Sequence, residues 1–144
     1  MARFISDDDY KASIKQEQLD ALTREDAAIV PLAEDQAIEE MKGYLCQRYD
    51  TDAIFGAAGT ARNKLIVMFC IDIALYHMHT ASNPLRFPEA RKDRYKRAVD
   101  WLEMVQKGEI IPSDLPLKQD ATAGTQGGAN SIAFFSQTKR NNAF

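Results

Sequence analysis

The side chains best equipped for chemistry are two histidines, two cysteines and a run of three aspartates, and their spacing limits what they can do together. His77 and His79 stand two apart, so on a helix they diverge, and no glutamate sits where a zinc-protease motif needs its base. Cys70 and His77 share a face but lie two turns, roughly 10 Å, apart, too far to hold one ion. Asp7, Asp8 and Asp9 point in different directions around a helical turn and do not converge on a cation. The serines have neither a nucleophile-elbow context nor a histidine at hand. The glycines of DTDAIFGAAG, residues 50–59, lack the lysine and hydroxyl of a phosphate loop. No catalytic or metal-binding residue is assigned, no cofactor is implied, and the chain is expected not to be an enzyme.

The charge that does demand a partner is Asp72, inside KLIVMFCIDIALYHMH at 64–79. That stretch is apolar around almost its whole circumference, which predicts a buried central helix, too short to span a bilayer. A lone ionised carboxylate there is costly unless paired. Arg48, near the end of the preceding helical segment, is the expected partner, because its planar fork can bond both oxygens and a cation suits a helix C-terminus. His77 reads as a core histidine, and Cys46 and Cys70 as small hydrophobes in a reducing compartment.

The elements that must enclose this helix are amphipathic. Ser6 followed by the three aspartates marks a helix start, and a second short piece at 16–22 carries Leu19 and Leu22. Pro31 opens a long helix to about Tyr49, with Leu32, Ala37, Ile38, Met41, Leu45 and Cys46 as its stripe and Glu34, Asp35, Glu39 and Glu40 on other faces. Gly43 inside it is expected to permit close approach of a neighbour. Residues 50–59 read as a connector, Thr60 as the cap of the central helix, and Pro84 as the signal that ends it. The last helix, 89–106, is stopped by Gly108; Tyr95, Ala98, Val99, Leu102 and Val105 form its stripe, widened by Trp101. Arg91, Lys92, Arg94, Lys96 and Arg97 make its first half basic, a face for an acidic neighbouring subunit or for DNA phosphate.

The expected fold is therefore all-α: a small helical bundle around a buried central helix, with an extended C-terminal arm. Residues 1–112 form the bundle. Residues 113–144 form the arm, in which a polar, glycine-containing spacer precedes a short apolar patch. Ile132, Phe134, Phe135 and Phe144 are its candidate anchors on a partner, with Lys139 and Arg140 beside them. With 144 residues, 45% of them hydrophobic, the chain can bury one core, and a formal charge of −3 argues against a general nucleic-acid binder. The N-terminus has no apolar run of signal-peptide length, so a soluble protein made in the cytoplasm is expected, with no membrane partner.

Five fragments in register carry a resemblance: the early acidic turn, LDALTRED at 19–26, YLCQRY at 44–49, DIALY at 72–76, and RYKRAVDWL at 94–102 running into Lys107 and Gly108. From Phe4 to Leu117 the chain resembles the Mu-like phage protein family that belongs with the small helical head-completion, or head-to-tail connector, proteins of tailed bacteriophages. The resemblance implies a homo-oligomeric ring, commonly of twelve copies, beneath the portal protein at the neck of the virion. Double-stranded DNA would pass through its lumen without sequence-specific binding, and the next tail or neck component would dock below. It also implies that the arm docks on the portal, although the stretch after Leu117 is longer than the resemblance leads one to expect. The alternative is a small helical DNA-binding or regulatory phage protein using the basic helix.

Overall fold

The structure, a computed structural model, describes residues 3–23, 26–82 and 85–119. Its α-helices are α1 (Gln16–Thr23), α2 (Ile29–Leu45), α3 (Thr51–Gly56), α4 (Lys64–Ser82) and α5 (Glu89–Lys107), with 3-10 turns at Asp7–Ala12 and Gly59–Ala61. No strand is present among the described residues; Tyr49 and Leu117 form one isolated antiparallel bridge. The all-α bundle read from the sequence is what the chain adopts.

Apolarity around α4 is explained by what covers it. Every residue from Phe69 to Leu75 is buried, together with Ile66 and Met78, because α2 and α5 pack along it and α1 closes a further side. At 19 residues α4 is longer than the sequence reading, and by length and composition alone it could cross a membrane. Burial within the bundle accounts for that composition, since the core helix of a globular domain is apolar all round for the same reason. Its cap is Asn63, whose Oδ1 accepts from the Ile66 N–H at 3.0 Å, and not Thr60, which is exposed in the preceding turn.

The stripe of α2 is rotated from the expected one. Ala33, Glu34, Ala37, Met41 and Leu45 are buried, whereas Leu32 and Cys46 are exposed. Gly43 faces open space, so close approach of a neighbour is not its role. Helix α2 ends at Leu45, four residues short of Tyr49, and α3 follows where a connector was expected, started by Asp50 accepting from the Ala53 N–H at 3.1 Å. Ile54 of α3 turns into the core. In α5, Ala98, Leu102 and Val105 are buried, and Gly108 ends the helix in a left-handed conformation (φ 83°), its N–H bonded to the last-turn carbonyls.

The N-terminal layer is tied down by polar contacts. Asp9 accepts from the Ser6 N–H at 2.7 Å and from Arg62 at 2.6 Å, and this arginine also donates to the Phe4 carbonyl at 2.7 Å. The Arg62 guanidinium beside Asp9 holds that carboxyl low, at about 2. Asp8 pairs with Lys11 and Asp7 with Arg3, so the three aspartates serve three different partners.

Residues 113–119 do not depart from the body as the first part of a free arm. Leu115 is buried, the Asp50 N–H bonds the Pro116 carbonyl and the Lys118 N–H bonds the Arg48 carbonyl, both at 2.9 Å. The folded unit therefore reaches past the 112/113 boundary drawn from composition.

Candidate functional site

Asp72 sits midway along α4 with only 1% of its surface exposed, and the chain that meets it is α5. Arg94 Nη1 approaches one carboxylate oxygen and Arg97 Nη2 the other, each at 3.4 Å. Arg48 is not its partner. The last turn of α2 meets the end of α5, so Arg48 is exposed with its guanidinium against Gly108, beside the C-terminal carbonyls of α5, where a cation is favoured. Asp72 faces the first half of α5 instead. Contacts of 3.4 Å are long for charge-assisted bonds, which run about 2.7–2.9 Å, so the arginines act on the buried carboxylate mainly through their field. Burial pushes the Asp72 carboxyl above its ordinary range, and Arg94, Arg97 and Arg91 oppose that rise.

Both arginines remain partly in water, Arg94 with 43% and Arg97 with 55% of the side chain exposed. Their stems lie over the bundle: the Arg97 guanidinium is 5.7 Å from the Phe69 ring centroid. Arg91, half buried, donates Nη2 to the Ser13 carbonyl at 2.6 Å, linking α5 to the N-terminal layer. Lys96 pairs with Asp100 at 2.8 Å, and Lys92 lies 4.0 Å from Glu89. The basic half of α5 thus has carboxylates beside four of its five cations.

Two further polar clusters cross the bundle. Glu34, 3% exposed, accepts from the Tyr10 hydroxyl at 2.6 Å and from Arg3 at 2.7 and 3.0 Å. Burial first, then the bond to Glu34, raises the Tyr10 phenol well above its ordinary value. Glu40 accepts from the Tyr95 hydroxyl at 2.7 Å and meets His77 Nε2 at 3.0 Å, while Tyr95 stacks on Tyr76 with ring centroids 3.9 Å apart. His77 is half buried with a carboxylate partner, so it is more polar in setting than an apolar core histidine. Cys70 is enclosed, and burial pushes its thiol up, away from the reactive thiolate form. None of these clusters was marked in the sequence as a unit. Glu34 carried a readable signal, because it stands three residues before Ala37 and seven before Met41, on the buried stripe.

The arm residues Ile132, Phe134, Phe135, Lys139, Arg140 and Phe144 lie outside the described residues. On the described surface, large apolar side chains stand exposed at Leu32, Leu85, Ile111 and Leu117.

These residues define a small all-α bundle whose carboxylates Asp72, Glu34 and Glu40 are each met by side chains of other segments. The chain belongs to the family described as Bacteriophage Mu, Gp36, which matches residues 4–133. It is thus a member of a bacteriophage protein family, and the match runs past Leu117, so much of the segment that seemed an extension belongs to the family pattern. Comparison with curated proteins gives no match, and comparison with solved structures gives none.

Proposed function

We propose that the chain is a structural head-to-tail connector, a head-completion or adaptor protein that assembles as a ring beneath the portal of a tailed bacteriophage. The observation that carries this reading is the family match over residues 4–133, which spans nearly the whole chain and places it among phage proteins. The bundle is suited to such a part. Its polar clusters tie the helices rigidly, while Leu32, Leu85, Ile111 and Leu117 leave apolar side chains on the outside for neighbours to cover. The role is assembly and not catalysis. A ring of about twelve copies would sit at the virion neck, contacting the portal on one side and the next tail component on the other, with DNA in its lumen.

Phosphate binding by α5 is the weaker reading, because Arg94 and Arg97 are turned toward Asp72 and Lys96 toward Asp100, so part of their charge is already offset within the chain. Negative-stain imaging of virions carrying a gold label on this protein tests the proposal. The label is expected at the neck. A label on the capsid wall or tail tip, or none in virions, would refute it.

A further inference from the structure

Between α2, α3 and the N-terminal segment lies an open groove of about 510 Å³. Phe4, Ile38 and Phe55 give it an apolar floor, the two phenyl rings meeting edge to face at 5.1 Å. Arg3, held by Glu34, and Lys42 also line it, but with Asp35, Glu39 and Asp52 at the edge its rim is acidic on balance. Glu39 is met by Lys42 at 3.3 Å, whereas exposed Asp35 and Asp52 have no cation within ion-pair distance among the described residues. An aromatic floor beneath carboxylates suits an extended segment that carries aromatic and basic side chains a few residues apart.

The chain itself contains such a segment. IAFFSQTKR at 132–140 holds two phenylalanines and two cations, and no aspartate or glutamate occurs from residue 121 to 144. The path to the groove is short. Pro116 and Lys118 are bonded to Asp50 and Arg48, and Asp50 caps α3, whose Asp52 and Phe55 line the groove. Residue 119, the last one described, therefore lies beside one end of it. Helix α3 is only about 9 Å long at 1.5 Å per residue, while roughly 15 residues of chain up to Phe134 reach as far as about 50 Å when extended. A tether far longer than the gap gives a high local concentration of segment at groove.

We propose that this groove is the docking site for residues 132–140 of the same chain, the phenyl rings against the Phe4 and Phe55 floor and Lys139 and Arg140 at the Asp35 and Asp52 rim. Arm and groove then cover one another until a partner with higher affinity for either displaces it. The inference does not rest on the connector reading, and its test is made on the isolated full-length chain.

A nitroxide is attached through Gln137→Cys in a Cys46→Ser background, Cys70 being buried, and amide signals of the full-length protein are recorded by NMR. Signal loss is expected at Asp35, Ile38, Asp52 and Phe55, independent of protein concentration. Joint replacement Phe134→Ser with Phe135→Ser should restore those signals, as should Asp35→Lys with Asp52→Lys. Signal loss nowhere, or only on another face such as that around Trp101, overturns the proposal. So does loss at these positions in nitroxide-free, isotope-labelled copies mixed with nitroxide-carrying ones, which would assign the groove to the arm of a second copy.

Discussion

Replacing Arg94 and Arg97 by alanine, singly and together, separates a field effect on Asp72 from a pair of ordinary surface contacts. Each arginine is about half exposed and stands 3.4 Å from the carboxylate, so losing one leaves the other in place, and each single change should cost about 1 kcal/mol. Losing both strands a carboxylate that is 1% exposed, with half-buried Arg91 as the remaining cation. Uncompensated burial of that kind costs about 3–5 kcal/mol. Protonation sets a ceiling. Taking up a proton costs about 1.4 kcal/mol for each unit between the solution pH and the ordinary carboxyl value of 3.8, hence about 4.5 kcal/mol at pH 7 and about 1.7 at pH 5. The sign follows from linkage. A carboxyl whose folded pKa lies above its unfolded one binds more protons when folded, so the stability of the double variant should fall as pH rises from 4 toward 7. Urea unfolding of the four proteins at pH 5 and pH 7 measures this. A double-variant deficit that equals the sum of the singles and is the same at both pH values would refute the reasoning.

Tyr10→Phe removes the 2.6 Å bond to buried Glu34 while Arg3 still serves that carboxylate, so melting should report a loss of about 1–2 kcal/mol. Asp9, held at about 2 by Arg62, contributes stability that is present above pH 4 and is lost as pH falls toward 2. Solvent screening limits it to about 1 kcal/mol, and Arg62→Ala should flatten this acid limb in a pH series of melts. Ending the chain after Pro112 should cost about 3 kcal/mol more than ending it after Gln119, since the shorter form loses buried Leu115 and the two backbone bonds at Asp50 and Lys118; comparison of the two unfolding curves checks it.

Helices whose positions repeat strongly were legible. The run around Phe69 and Ile73 could only be a core helix, and Gly108 marked the end of α5 correctly. What periodicity does not carry is the rotation of one helix against another. Arg48 matches Asp72 in the sequence because it closes the preceding helical segment, yet the packing sets α5 and not the end of α2 against that part of α4. Arg94 and Arg97 lie off the apolar stripe, but a long side chain placed at the edge of a stripe can reach back across it. Glu34 reads by type as belonging to another face than the apolar stripe, although its register puts it with Ala37 and Met41. Helix α3 is hidden because Gly56 and Gly59 make the stretch read as a connector, while its cap, Asp50 before Thr51 and Asp52, is in plain view. The buried end at Leu115 depends on the long-range pairing of Leu117 with Tyr49, which no local pattern announces.

That pairing has a mechanical side. The Tyr49–Leu117 bridge is antiparallel, with its two bonds, Asp50 to Pro116 and Lys118 to Arg48, lying across the direction of the chain. Tension applied along the direction of residues 116–118 loads both bonds at once in shear and is passed through them to the corner between α2 and α3. Leu115, wedged into the core just upstream, then acts as a stop against slippage. A force along that direction is therefore met first at the α2–α3 corner, and α5 with its Asp72 arginines is shielded from it.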